Sequence, residues 1–409
     1  MIDSVRLRLR SDVPVGAYLS GGIDSSAITS LIENYTDNPL KTFSVAFTDR
    51  VYDESNEQQE MVSWLGTDHN VIRCGYKDIA GAFPDVVWHT ETPIVRTAPT
   101  PLFLLSDLVR QHDYKVVLTG EGADEILGGY DIFKEAKVRA FIARKPESSC
   151  RPLLLKRLYP YLALSPTRAA AMAKQFFETG SDPEDDIFFA HRPRWKTTSY
   201  ILQFVDRDLR ESMSDPLERL ETSFKQRLSG RGYDYFSRAQ YLETRLLLAN
   251  YLLSSQGDRM AMAHSVEGRF PFLDHRVVEF AGRIPVNMRM KGLTEKYLLK
   301  LAMKDLLPRP ILERKKQPYM APDIISFFRG SEPDYLGYHL SDEKIMSAGL
   351  FNPRAVRQLM NKCRKKARQG FRENMAFVSI LSTQILYDRF VENFSVHTPE
   401  RLGNVKVAG

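Results

Sequence analysis

The sequence predicts an α/β protein: a twisted parallel sheet with flanking helices, followed by a mainly helical C-terminal part. Three observations predict it. Short β-branched runs alternate with helically spaced segments through the first 145 residues. Glycines follow directly on two of those runs, at Gly21-Gly22 and at Gly120. Beyond about Asp131 the strand pattern fades while helical spacing continues. Strands separated by helices imply parallel βαβ units, whose ligands bind at the carboxyl ends of the strands.

The elements follow in order. Val13 to Leu19 is a first strand running into glycines, and Ser25 to Asn34 carries Ala27, Ile28, Leu31 and Ile32 at helical spacing. Thr42 to Phe47 is a second strand, Glu54 to Leu65 a helix, and Asn70 to Cys74 a third strand. Thr100 to Gln111 is an apolar helix, and Lys115 to Thr119 a fourth strand ending at Gly120. Later helices are expected around Glu135 and Ala136, over Gln240 to Leu253, and over Glu295 to Leu307, the last with Thr294 as N-cap and prolines 308 and 310 beyond it. Ile2, Val5 and Leu9 share one helical face at the start, as in the tail of a helix. The division expected is a core over 1–145, a helical insertion over 146–240, and a helical part over 241–409 that completes the active site.

Composition bounds the function. With 43% hydrophobic and 26% charged residues in 409, the chain is an ordinary globular protein able to bury its core without disulfides. The net charge of 57 − 51 = +6 leans towards anionic partners such as nucleotides. Cys74, Cys150 and Cys363 form no CxxC pair, which argues against a zinc knuckle or disulfide framework and reads as reduced thiols. The basic start has no apolar core like that of a signal peptide, and no apolar run approaches the ~20 residues of a membrane span. A cytoplasmic location is expected.

The segment Leu19-Ser20-Gly21-Gly22-Ile23-Asp24-Ser25-Ser26 bears chemistry. A strand ends, two glycines let backbone N–H groups approach an anion, three serines add hydroxyls, and a helix begins with its positive dipole end. This is a pyrophosphate cradle. Asp24 beside phosphates calls for Mg²⁺ between them. The loop is not a Walker A motif, since the chain contains no Gly-Lys pair, and Glu125 replaces the third glycine a GxGxxG loop would need after Gly120. Gly120-Glu121-Gly122-Ala123-Asp124-Glu125 sets three carboxylates at the end of a strand, which calls for a cation or a proton-transfer task.

SGGIDSS resembles the pyrophosphate-binding loop of the N-type ATP pyrophosphatases, which include the asparagine, beta-lactam, GMP and NAD synthetases. Within that group the chain is similar to the synthetase domain of glutamine-dependent asparagine synthetase. SDVPVGAYLSGGIDSS, KTFSVAF, LGTDH, VVLTGEGADEILGGY, DRMAMAHSVEGRFPFLDHRV, LTEKYLLK and RKKQPY carry the resemblance in family order, from residue 11 to about 320. It implies an ATP-pyrophosphatase-like fold and an asparagine synthetase activity. Aspartate would be activated as a β-aspartyl-AMP with release of pyrophosphate, and ammonia would then give the amide and AMP. ATP and Mg²⁺ are the implied nucleotide and metal. Leu19, Val45, Thr119 and Gly120 would contact the nucleotide, Asp24 and Asp124 the metal. Glu121 would handle the proton as ammonia attacks, and Lys316 would stabilise charge on the α-phosphate. Glu295 and Lys296 match the family's Glu-Lys step as further substrate-side candidates. Asp258 and Glu267 would face the amino acid, while Arg269 and Asp274 join Glu267 in a charge network. His69 reads as structural, and the basic run 362–368 as a solvated helix face.

Two departures stand out. Family members of this type begin with a glutaminase domain whose N-terminal cysteine releases ammonia. Here only 19 residues precede Ser20, so the expectation is a domain-only form using ammonia, free or supplied by a glutaminase domain or subunit. ETPIVRTAPTP (91–101) and the long stretch between Tyr130 and Gln240 differ from the family pattern and leave the acceptor open. The alternatives are another adenylating amide synthetase, of the beta-lactam or macrolactam type, and a tRNA-modifying adenylase. A homodimer is compatible with the resemblance; a membrane or nucleic-acid partner is not favoured.

Overall fold

The computed structural model describes residues 1–159, 183–228, 232–366 and 369–394. Five strands form one all-parallel sheet in the order β3-β2-β1-β4-β5: β1 Val15–Tyr18, β2 Lys41–Phe47, β3 Asp68–Cys74, β4 Val116–Leu118 and β5 Glu267–Arg269. The chain winds outward from β1 through β2 to β3. It then crosses back to place β4 on the other side of β1. The crevice between the carboxyl ends of β1 and β4 is therefore the switch point at which such sheets receive ligands.

Both faces are covered, and the pleat sorts the side chains. Val116 and Leu118 point into one core with Ala17, Ile28, Leu31 and Leu299. Val117 points to the other face with Phe43, Val45, Phe47 and Leu105. The covering helices include α1 Ile2–Arg8, α2 Ile23–Tyr35, α3 Ser55–Leu65, α4 Tyr76–Thr90 and α5 Pro99–Gln111. After β4 come the short α6 Ala123–Leu127 and the buried α7 Asp131–Ala143. A further apolar core joins α4 to the C-terminal helix Phe371–Tyr387 through Phe83, Phe327, Phe377 and Leu381. Among the described residues no helix is long and apolar enough to cross a membrane.

The four expected strands are present, with ends shifted by one or two residues. The fifth, Glu267–Arg269, lies in the part expected to be mainly helical. It pairs Val116 with Glu267 and Leu118 with Arg269, so a neighbour's register makes it a strand, not its own composition. The helix expected over Glu295 to Leu307 with Thr294 as cap is shorter, Tyr297–Ala302. Its flanking residue Lys296 takes a left-handed backbone (φ 50°), and Thr294 instead pairs with Lys291. The helix expected over Gln240 to Leu253 belongs to a longer helical run, Tyr235–Leu242 continuing through a π-wound stretch, Glu243–Asp258, into Arg259–Met262. Within the expected insertion, residues 160–182 and 229–231 lie outside the described residues, as do 367–368 of the basic run. The rest of that run closes helix Pro353–Lys365, where Lys362 pairs with Glu373 (2.8 Å) and Arg364 with Glu332 (2.9 Å).

Candidate active site

The loop between β1 and α2 holds itself. The Ser20 N–H donates to Ser25 Oγ (3.1 Å), the Gly22 N–H donates to Ser20 Oγ (3.3 Å), and the Ser25 hydroxyl donates to the Gly22 carbonyl (3.2 Å). Gly21 has φ +74°, and a Cβ there would lie 2.6 Å from Glu57 Cβ, so only glycine lets the loop pass under α3. Ser20 is exposed at the mouth of the loop. Ser26 is fully buried beneath it, and its Oγ has no hydrogen-bond partner among the described residues. Thirteen-residue α2 points its N-terminus at this cradle.

Gly120 packs directly on the first turn of α2, which brings the two motifs together. Asp24 on α2 and Asp124 on α6 converge on one ammonium, that of Lys296. Its Nζ ion-pairs with Asp24 and lies 2.5 Å from Asp124 Oδ1. Lys316 approaches from the solvent side, 2.7 Å from Asp124 Oδ2 and 3.8 Å from Asp24 Oδ2. The result is a quartet of two carboxylates and two ammoniums at the switch point. The Lys296 side chain is fully buried, whereas that of Lys316 is 23% exposed. Burial alone would depress the Lys316 ammonium, but Asp124 and Asp24 outweigh it and its pKa stands above the ordinary lysine value. Burial likewise opposes ionisation of Asp124, and the two lysines hold it below the usual carboxylate range. Lys296 was expected beside the substrate; the structure seats it between the aspartates instead. Gly129 makes room for it, since a Cβ there would sit 2.2 Å from Lys296 Cε.

The remaining expected residues divide. Thr119 and Glu121 adjoin the quartet at the end of β4, and the Thr119 hydroxyl donates to the Glu121 carboxylate. Burial raises the pKa of Glu121, which favours its taking up a proton. Glu121 and Asp258 both line a chamber of about 20 Å³, walled by Tyr18, Leu102, Met260 and Phe270, with room for one water-sized molecule. Leu19 directly follows β1, but Val45, expected to end its strand, lies inside β2, and the backbones of both are engaged. The Leu19 N–H donates to the Phe43 carbonyl (2.9 Å), its carbonyl accepts from Ser44, and the Val45 carbonyl accepts from Gln58 (2.9 Å).

Glu267 and Arg269 are not brought to the loop. They pair with each other (2.7 Å), and Arg269 donates to the carbonyls of Arg8 (2.7 Å) and Arg10 (2.8 Å), fastening the N-terminal segment. Asp274 does similar work through Arg8 (3.0 Å) and Arg276 (2.9 Å). His69 sits on β3, hydrogen-bonded to Thr42 (2.8 Å). Glu295, 4% exposed, is a hub whose Oε1 accepts from the backbone N–H of Lys316 (3.0 Å) and from Lys300 (3.3 Å), and whose Oε2 meets Lys134 (3.1 Å). Burial resists its charge, yet Lys134 and Lys300 hold its pKa down at about 2.

Sequence reasoning missed Arg314. It donates to the Gly21 carbonyl (3.3 Å) and pairs with Glu54 (2.7 Å), tying the Lys316 segment to the cradle. No local pattern marks that contact, which spans 293 residues.

Magnesium fits the donors present. Asp24 Oδ1 is buried without a hydrogen-bond partner among the described residues, and the carboxylates of Asp24 and Asp124 already converge on a shared cation. Among the described residues no group of three or more His, Cys, Asp or Glu forms a metal cage. Two carboxylates completed by phosphate oxygens and water is the environment Mg²⁺ accepts.

The family model described as asparagine synthase matches residues 1–387. Asparagine synthetase (glutamine-hydrolyzing) 1 of Bacillus subtilis is 31% identical over 320 residues, covering 78% of this chain and 48% of that protein. Amidase chyE of Penicillium rubens is 30% identical over 354 residues, covering 79% and 51%. Asparagine synthetase (glutamine-hydrolyzing) 3 of Bacillus subtilis is 29% identical over 332 residues, covering 78% and 46%. The chain spans about half the length of the curated relatives it matches.

Proposed function

The chain belongs to the asparagine synthase family, and we propose that it is an ATP-dependent, AMP-forming amide synthetase whose acceptor is the side-chain carboxylate of aspartate. One observation carries the reading. Asp24, Asp124, Lys296 and Lys316 meet beside a serine-rich glycine loop at a helix N-terminus, at the switch point of a parallel sheet. Two carboxylates in such a cradle suit a metal-bound pyrophosphate, and two ammoniums suit the charge that develops as the α–β bond breaks.

In the proposed first step a carboxylate oxygen attacks the α-phosphorus, the bond to the β-phosphate breaks, and pyrophosphate leaves. Asp24 and Asp124 would hold Mg²⁺, which supplies charge neutralisation to the phosphates when bound. The loop amides orient the leaving group, and Lys316 donates to the α-phosphoryl oxygens. In the second step ammonia adds to the acyl carbonyl, Glu121 takes the proton it loses, and the C–O bond to AMP breaks. The cavity lined by Glu121 and Asp258 has room for a nucleophile the size of ammonia. The nitrogen is free ammonia or ammonia delivered by a glutaminase part.

The test is incubation with Mg²⁺-ATP, aspartate and ammonium, with product analysis. AMP, pyrophosphate and asparagine in equal amounts support the proposal, and release of ADP and phosphate refutes it. The amidase-named relative gives reason to run other carboxylates in parallel. AMP formation with one of them and not with aspartate would move the acceptor while keeping the chemistry.

A further inference from the structure

Lys316 can serve an α-phosphoryl group only if its main chain is fixed, because its side chain is long and its segment, 314–323, carries no regular secondary structure. The far end of that segment is held by Thr97 and Arg96, at the Pro322 carbonyl (3.0 Å) and Asp323 (2.9 Å), and at its near end Lys300 donates to the Arg314 carbonyl (3.4 Å). Arg314 ties it to the Gly21 carbonyl and to Glu54. At Lys316 itself, the backbone N–H donates to Glu295 Oε1 at 3.0 Å.

Glu295 is buried, and a buried carboxylate holds its place only when charge-paired. One partner, Lys300, comes from its own segment, at 3.3 Å. The closer one comes from elsewhere in the fold: Lys134, on α7, at 3.1 Å. Lys134 is itself 8% exposed and lies 3.4 Å from Asp131 one turn earlier. A lysine facing α7's interior neighbours has little reason to be there unless its charge is needed. The next residue, Glu135, pairs instead with Arg194 and Tyr159.

We infer that Lys134 is a positioning residue for Lys316: its ammonium fixes the Glu295 carboxylate, which holds the Lys316 backbone in place over the Asp24–Asp124 pair. The inference rests on the reading of Lys316 as the phosphate-facing lysine. Lys134 touches no reacting atom, so its effect falls on turnover more than on nucleotide affinity.

The experiment uses the full chain and the variants Lys134→Met, Lys134→Arg, Glu295→Gln and the Met/Gln double, with two readouts. The first is amide hydrogen exchange of the peptide containing Lys316, which needs no activity. In Lys134→Met its protection falls about tenfold or more while β2 and β3 keep theirs, and Lys134→Arg restores it. The second is AMP formation with Mg²⁺-ATP, aspartate and ammonium. There kcat falls about 10- to 100-fold in Lys134→Met with KM for ATP within about twofold, the size expected for a displaced catalytic group. The double variant is no slower than Glu295→Gln alone, because both act along one path. Unchanged protection at Lys316 in a folded Lys134→Met overturns the inference, as do losses that multiply in the double variant. Loss of β2 and β3 protection in Lys134→Met together with no rescue by Lys134→Arg overturns it too, since Lys134 would then be part of the general core. A wild-type chain inactive with aspartate refutes the proposed acceptor, and the exchange readout still decides the role of Lys134.

Discussion

Glu125 offers the sharpest single test of the site's electrostatics. It is 1% exposed and stands next to the ionised Asp124. Its Oε1 accepts from the Tyr130 hydroxyl (2.8 Å), while Oε2 is buried with no partner among the described residues. Burial and the neighbouring Asp124 charge push its pKa from 4.5 up to about 8. Glu125 is thus neutral in the folded protein at pH 7 and ionised in the unfolded chain. A raised folded pKa stabilises fully below pH 4.5, and that stability is lost as pH rises through 8. The gap from 4.5 to 7, at about 1.4 kcal/mol per pH unit, makes the loss about 3 kcal/mol at pH 7. Glu125→Gln keeps the shape and an acceptor for Tyr130 but cannot ionise. Urea unfolding at pH 4.5, 6, 7 and 8 should show the variant near wild type at pH 4.5 and more stable by up to about 3 kcal/mol at pH 7. A parallel pH profile for the two proteins, or a variant less stable throughout, would refute the account of a neutral buried acid.

Other outcomes follow from distances already given. Lys316→Ala should cut AMP formation about 10²- to 10³-fold while thermal unfolding is unchanged; near-normal turnover would show that another group serves the α-phosphate. Glu121→Gln should keep aspartate-dependent exchange of labelled pyrophosphate into ATP but slow amide release, and equal loss of both would place Glu121 in the first step. Gly129→Ala forces a methyl to within 2.2 Å of Lys296 Cε and should cost about 1–3 kcal/mol in unfolding free energy together with most of the activity; a stable, active variant would mean that Lys296 can move aside.

Much of the sheet was readable because β1 and β4 are buried on both faces and so apolar almost throughout, while β2 carries Thr42, Phe43, Val45 and Phe47, residues that favour strands. β5 was not, because Glu267-Gly268-Arg269 has no apolar residue and becomes a strand only by pairing with β4. The cradle was readable because its residues are consecutive. The partners of Glu295 were not: Lys134 lies on a helix more than 150 positions earlier, and nothing in either segment marks the other. Lys296 shows the same limit at the backbone. Helical spacing continues across it, yet two carboxylates draw its side chain inward and the helix starts one residue later in a left-handed turn. Tertiary charge overrides local propensity there.

The quartet also bears on the order in which the molecule can be completed. Asp24 and Asp124 belong to the sheet half, but the lysine that joins them is about 170 residues beyond Asp124. At a synthesis rate of roughly 5–20 residues per second, that interval is about 10–30 s on the ribosome. Until then neither Lys296 nor Lys316, the two ammoniums that pair with Asp24 and Asp124 in the finished fold, has been made. The charged knot therefore ties the nucleotide-facing half to the last third of the chain. A nascent chain halted before Lys296 would own the cradle and both carboxylates, brought together by the pairing of β1 with β4, but not the ammonium that joins their charges.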